Sequence, residues 1–214
     1  MKIITIEDAL KKVKDGMTIM VGGFLTNGGA NKIMDALVLS GVKDLTIICN
    51  DSTYPDKGMG QLITNRQVKK LIASYVGSHP VAIDQMNAGE LIIEFSPQGT
   101  LAERVRAAGA GLGGILTSTG VGTVVEEGKD IIVVDGVKYL LEKPLKADVA
   151  IIGASLADKA GNLYYKGTTR NFNTMMAMAA EIVIAEVEEM VETGAIKPEE
   201  VHTPAILVDY VVMK

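Results

Sequence analysis

The sequence predicts an α/β fold: an open, mostly parallel sheet with helices on both faces and one small β-hairpin beside it. Three observations lead there. Short apolar runs rich in β-branched residues alternate with segments long enough for one helix each, which is the pattern of β-α-β units. The runs are apolar throughout, as strands covered on both faces are. The composition, 48% hydrophobic and 22% charged over 214 residues, is that of a chain able to bury a core. No linker, low-complexity tract or internal repeat divides the chain, so residues 1–214 are read as a single domain.

Each element has its own warrant. Thr5 is placed to cap a helix with Glu7 and Asp8 in its first turn and Ala9, Leu10 and Val13 on one face, broken at Asp15-Gly16. A strand at residues 18–21 runs into a glycine loop at 22–29, and Ile33, Met34, Leu37 and Val38 give a helical stripe closed by Gly41. Strands are expected at 45–49, 70–76 and 91–95, with helices within 57–65, 80–88 and 101–108. Ile131 to Val134, Asp135-Gly136 and Val137 to Leu140 read as a hairpin on a type I′ turn. Further core strands are expected at 149–153, 182–185 and 205–212, with a helix over 174–180. An irregular stretch runs from Gly109 to Gly128, where seven glycines fall.

Charge and composition narrow the function. The net charge is −5, and the densest basic cluster is Lys69-Lys70 with Arg66 nearby, which is no stripe for a phosphate backbone; nucleic acid is excluded as a partner. No apolar run approaches the ~20 residues of a membrane span, and the amphipathic, charged start does not read as a leader, so a cytoplasmic protein is expected. Cys49 is single, and His79 and His202 form no ligand spacing, so no metal is expected. Cys49 ends an apolar run and is read as a buried structural thiol. His79 before Pro80 and His202 before Thr203-Pro204 are read as loop residues rather than bases.

Two nucleotide motifs are present in letters only. Gly109-Ala110-Gly111-Leu112-Gly113-Gly114 follows a helical stretch instead of a strand, so it lacks the geometry that cradles a pyrophosphate. Between Gly122 and Gly128 lie five residues where a P-loop has four, and Asp130 stands where a magnesium-binding hydroxyl belongs. Glu126 and Glu127, beside Gly128 and Lys129, read as a solvated turn. The loop Gly22, Gly23, Phe24, Leu25, Thr26, Asn27, Gly28 is different. It follows an apolar strand directly and precedes a helix, where backbone N–H groups and the helix dipole favour an anion and glycine lets a ligand approach the main chain.

Residues 15–24, Asp-Gly-Met-Thr-Ile-Met-Val-Gly-Gly-Phe, with Gly28 following, closely resemble the first signature of the family I coenzyme A transferases, with Ala30 in place of a common proline. The resemblance continues through Pro55 to Gly58, Asn65 to Lys70, Pro97 to Arg106, Thr117 to Thr123, Ala147 to Ala150, Asp158 to Leu163 and Arg170 to Asn173 onward. It is greatest to alpha subunits of acetate or butyrate-acetoacetate CoA-transferases. It implies the CoA-transferase and ribose-phosphate isomerase type of fold, no tightly bound cofactor, and coenzyme A as co-substrate bound at the glycine loop. The implied partner is a beta subunit in an α2β2 assembly, and the implied substrates are acyl-CoA and short-chain carboxylates. The nucleophile it implies is a glutamate in a Ser-Glu-Asn-Gly type motif of the beta subunit, a motif this sequence does not contain. Gln98, between Pro97 and Gly99, is implied to lie near the thioester and donate to a developing oxyanion, with a turn-stabilising amide as the alternative. Asn50 is a similar strand-end amide, with an Asx turn as its alternative. Other uses of the same fold are a stand-alone sugar-phosphate isomerase or deaminase, which lacks convergent basic residues here, and an effector-binding module.

Overall fold

Along each strand, alternate side chains serve two different cores. In β2 (Thr18–Val21), Ile19 and Val21 join one buried cluster and Met20 the other, and in β3 (Leu45–Cys49) Ile47 and Ile48 divide in the same way. This two-sided burial is why the strands read as unbroken apolar runs.

The computed structural model describes residues 2–214. The remaining elements, in chain order, are β1 (Lys2–Ile3), α1 (Ile6–Leu10), α2 (Asn31–Ser40), α3 (Gly60–Thr64), β4 (Val68–Ala73), α4 (Pro80–Asn87), β5 (Ile92–Phe95), α5 (Gln98–Gly109), β6 (Ile115–Thr117), β7 (Ile131–Val134), β8 (Val137–Glu142), β9 (Ala147–Asp158), β10 (Leu163–Tyr164), α6 (Asn173–Met176), β11 (Ala180–Val191) and β12 (Tyr210–Met213). Nine strands form one sheet in the order β1-β12-β11-β9-β2-β3-β4-β5, with β10 antiparallel on β9 and every other pair parallel. Residues of α1 to α4, such as Ala9, Met34, Leu62 and Ala82, pack on one face; Leu101 and Val105 of α5 and Met176 of α6 pack on the other. The chain winds outward from β2 to β5, then crosses back to β9 on the opposite side of β2. The order therefore reverses between β2 and β9, and a crevice opens at their carboxyl ends.

A separate antiparallel sheet, β6-β8-β7, carries the hairpin. Its turn has Asp135 at φ 50° and Gly136 at φ 78°, both in the left-handed region that a type I′ turn requires. The expected cap is also present, with the Asp8 N–H donating to Thr5 Oγ at 3.2 Å.

Several boundaries are corrected. The strand expected over 205–212 exists only from Tyr210; Pro204 opens a 3-10 turn at Ala205–Leu207, whose Ala205 N–H donates to Asn162 Oδ1. The helix expected over 174–180 is only Asn173–Met176, because Met178 and Ala179 close tight turns and β11 begins at Ala180. The strand expected at 70–76 starts at Val68 and is regular only to Ala73, after which Ser74 and Tyr75 stay paired with the segment following β3 through the Ser74 N–H to the Asn50 carbonyl and a parallel Asp51–Tyr75 bridge. The strands expected at 149–153 and 182–185 run twelve residues each and pair along most of their length. α3 fills only Gly60–Thr64 of its expected span, and α5 starts at Gln98, earlier than expected. The glycine-rich stretch contains a strand, β6, that glycine content concealed.

Candidate functional site

The glycine loop leaves β2 at the point where the strand order reverses and folds into a tight turn. Phe24 and Asn27 exchange backbone hydrogen bonds of 3.1 and 3.0 Å, and Leu25 between them has φ 53°. Gly23 has φ 120°, a conformation that L side chains rarely adopt, and Gly28 lies so close to Thr169 that a Cβ would come within 2.5 Å of its carbonyl oxygen. Across the crevice, Gly153 of β9 packs on Gly28; a Cβ there would be 2.5 Å from the Gly28 carbonyl oxygen. Much of this glycine content therefore serves close packing of the loop against its own protein.

Most loop amides are also committed internally. The N–H groups of Gly22, Gly23, Phe24, Leu25, Asn27 and Gly29 donate to protein acceptors, so the ready-made anion cradle anticipated from the sequence is largely filled. The anion at the start of α2 is the protein's own. Glu186 of β11 is buried and accepts from the Lys32 and Ile33 N–H groups at 3.3 and 2.8 Å, in place of a side-chain cap at Ala30. Burial raises its pKa, against the lowering effect of these two bonds.

From the loop a chain of hydrogen bonds runs across three strand ends. The Leu25 N–H donates to Asp51 Oδ2 at 2.9 Å, Asn50 Nδ2 donates to the same oxygen at 2.7 Å, and Gln98 Nε2 donates to Asn50 Oδ1 at 2.7 Å. Asp51 Oδ1 accepts from the Thr53 N–H at 2.8 Å. An ionised carboxylate only accepts, so Asp51 forces the NH2 of Asn50 towards itself, which leaves Asn50 Oδ1 to accept and forces the NH2 of Gln98 inward. One hydrogen of Gln98 Nε2 is thereby used and the other stays available. Asn50 and Asp51 are buried and Gln98, in the first turn of α5, is exposed. Around them, Phe24, Tyr54, Tyr75 and Phe95 remain 39–54% exposed after or at the ends of β2, β3, β4 and β5. Aromatic side chains left open around a polar centre make an apolar wall for a ligand or another chain.

The glycine loop, Asn50 and Gln98, picked separately from the sequence, thus meet in one network. Asp51, Ser74 and Thr53 were missed, although the polar run Asn50-Asp51-Ser52-Thr53 directly after an apolar strand is a legible signal. A cleft of about 220 Å³ on the β9 side is lined by Thr26, Asn27, Gly28, Ser155, Glu186 and Lys214. Another of about 340 Å³, with Thr18, Lys146 and Asp148, lies at the amino ends of the strands, away from this network.

The residues read as structural are so placed. The Cys49 thiol is buried, and burial drives its pKa well up. His79 is buried and is the cap of α4 rather than a loop residue: its Nδ1 accepts from the Ala82 N–H at 3.1 Å, which leaves the Nε2 proton to the Gly60 carbonyl at 3.0 Å. His202 stacks on Tyr164 and accepts from the Tyr165 N–H, and burial lowers its pKa. The GxGxxG letters begin at the last residue of α5, and Glu126 sits in a short 3-10 turn accepting from the Gly122 N–H. No helix among the described residues is long and apolar enough to cross a membrane.

The model of the coenzyme A transferase family matches residues 3–214. The chain is 54% identical to the acetoacetyl-CoA:acetate/butyrate CoA transferase alpha subunit of Clostridium acetobutylicum, over 99% of this chain and 97% of that one. It is 49% identical to the acetate CoA-transferase subunit alpha of Escherichia coli K12, over 99% of this chain and 96% of that one. Among solved structures, an acyl-CoA transferase of Escherichia coli O157:H7, in a thioester complex with CoA, superposes with a TM-score of 0.88 at 25% identity; all of this chain matches 47% of that longer one. With a family match over nearly every residue and the same sheet in the solved relative, this chain belongs to the coenzyme A transferase family, as a transferase chain of the alpha-subunit type.

Proposed function

We propose that this chain is the alpha subunit of a two-chain enzyme that moves coenzyme A between short-chain acids such as acetate, acetoacetate and butyrate. The chain of hydrogen bonds from Leu25 through Asp51 and Asn50 to Gln98 carries the reading, because it makes the glycine loop and the exposed amide parts of one rigid site. The names of the alpha-subunit relatives support the substrates and the second chain. An α2β2 assembly in the cytoplasm, and a single domain over residues 1–214, complete the reading.

In this scheme a glutamate carboxylate of the partner attacks the thioester carbonyl of acyl-CoA and expels CoA thiolate, leaving a mixed anhydride. The thiolate then attacks the glutamyl carbonyl, the acid departs as its carboxylate, and a glutamyl-CoA thioester remains for the acceptor acid to resolve by the reverse steps. Atoms and charge balance without water, and water would divert both intermediates to hydrolysis. The glycine loop contacts acyl-CoA. Gln98 donates its remaining N–H to oxygen as negative charge develops there, and Asn50, held by Asp51, keeps that donor aimed. CoA is a substrate here rather than a resident cofactor.

The test is dependence on the second chain. This protein, purified alone and then combined with a beta-subunit partner, is assayed for CoA transfer from acetyl-CoA to butyrate and, in parallel, by thermal shift with CoA and with sugar phosphates. Turnover only in the combined sample is expected, with no stabilisation by sugar phosphates. Full turnover by this chain alone, or a shift with a sugar phosphate only, would contradict the reading.

A further inference from the structure

Asn171 holds both limbs of the glycine loop. Its Oδ1 accepts from the Gly23 N–H at 3.1 Å, and its Nδ2 donates to the Asn27 carbonyl at 3.0 Å, so one side-chain amide bridges the entry and exit of the Phe24–Asn27 turn. The amide is itself anchored, because Oδ1 also accepts from the Phe172 N–H at 2.7 Å and Nδ2 also donates to the Thr168 carbonyl at 3.2 Å. Below it, the fully buried Asn173 donates from Nδ2 to the carbonyls of Gly28 and Thr169 at 2.9 and 2.8 Å and accepts from the Gly153 N–H at 3.2 Å. The loop needs such support. Gly23, Leu25 and Gly28 all lie at positive φ, and for Leu25 that conformation costs energy that the surroundings must offset. Phe24, at the tip, remains 47% exposed.

We propose that Asn171 is a positioning residue for acyl-CoA recognition: by spanning Gly23 and Asn27 it fixes the Phe24-Leu25-Thr26 tip in the shape that meets acyl-CoA, without touching the reacting atoms. This rests on the glycine loop contacting acyl-CoA. The geometry also says which kinetic constant should respond. Asn171 bonds none of Asp51, Asn50 and Gln98; the loop reaches that network only through the Leu25 N–H, and Asp51 stays held by Asn50 and the Thr53 N–H, so loss of Asn171 disorders binding far more than the chemical step of bound substrate.

The experiment compares Asn171→Ala, Asn171→Asp and Phe24→Ala in the assembled enzyme, reading KM for acyl-CoA, kcat, and hydrogen exchange of residues 23–29 by mass spectrometry. Asn171→Ala should raise KM about tenfold, keep kcat within about threefold, and speed exchange across the loop. Asn171→Asp keeps the acceptor for Gly23 and Phe172 but loses both donated bonds, so its KM should lie between parent and alanine variant; it also supplies the test if the alanine variant does not assemble. Faster exchange with unchanged KM, or a fall in kcat without a rise in KM, overturns the positioning role. If Phe24→Ala raises KM while both Asn171 variants match the parent, the loop binds acyl-CoA and Asn171 does not position it. If Phe24→Ala and the Asn171 variants all leave KM unchanged, the loop itself is removed from the site and the inference goes with it.

Discussion

Gln98 commits one hydrogen of its Nε2 to Asn50 Oδ1 and keeps the other, while Asp51 fixes which way both amides face. This is the arrangement of a donor aimed before the reaction rather than reorganised during it, and such donors contribute on the scale of 10- to 1000-fold in turnover, about 1.4–4 kcal/mol. Gln98→Ala in the assembled enzyme should therefore lower kcat by roughly 10- to 1000-fold and change KM less. A kcat within about twofold of the parent would return Gln98 to the role of a turn amide. The identity of Gln98 and Asn50 as candidates was legible from the letters, since each follows an apolar strand. Their mutual geometry was not, because the residue that orients them, Asp51, also reaches Leu25, 26 positions back in sequence. Asn171 is harder still: it meets Gly23 across 148 positions, and no local pattern encodes that contact.

At the scale of elements, the small sheet is tied to the main one by buried charge. Arg104 of α5 bonds Glu94 Oε1 at 2.9 Å and the Lys143 carbonyl at 2.9 Å, and lies 3.7 Å from Glu142, which also pairs with Lys129 at 2.5 Å. Arg104 and Glu142 are both almost wholly buried. Removing Arg104 leaves Glu142 to Lys129 and Glu94 to Lys70 alone and strips the Lys143 carbonyl of its donor, so Arg104→Leu should lower the unfolding free energy by about 1–3 kcal/mol in denaturant titration, with β6 to β8 losing amide protection first. An effect under about 1 kcal/mol would mean the cluster is effectively solvated. Glu94 gives this region a pH signature. Burial pushes its pKa up, but the bonds and charges of Lys70 and Arg104 outweigh it and bring the pKa below its ordinary 4.5. A carboxylate lowered in the folded state stabilises above its unfolded value and loses that contribution as pH falls through the folded one. The stability gap between parent and Glu94→Gln should accordingly be full above pH 4.5 and close on acidification. A gap independent of pH would mean that the ion pairs of Glu94 contribute nothing to stability. The hairpin was readable because Asp135-Gly136 carries its own turn chemistry, whereas this cluster joins residues whose pairing depends on the finished fold. The long strands were underread for a related reason: Glu186, Glu188 and Glu189 interrupt the apolar run of β11, although pairing with β9 continues past them to Val191.

On the scale of the whole molecule, the reversal of strand order between β2 and β9 sets one crevice, and the glycine loop, Asn50 and Gln98 all lie at the carboxyl ends of the strands around it. The alternation of strands and helices announced a parallel sheet, but the order of its strands does not follow from sequence periodicity; that order depends on which crossover returns beside β2. The site it builds has donors and an apolar rim of aromatics and, in the proposed scheme, takes its nucleophile from a second chain. The most direct test is to locate the covalent intermediate. The assembled enzyme is incubated with acyl-CoA, the activated glutamyl carbonyl is reduced with borohydride, and the altered residue is found by peptide mass. Modification confined to a glutamate of the beta chain, with ping-pong kinetics, is the predicted result; recovery of the reduced residue on any glutamate of this chain would contradict the division of labour between the two.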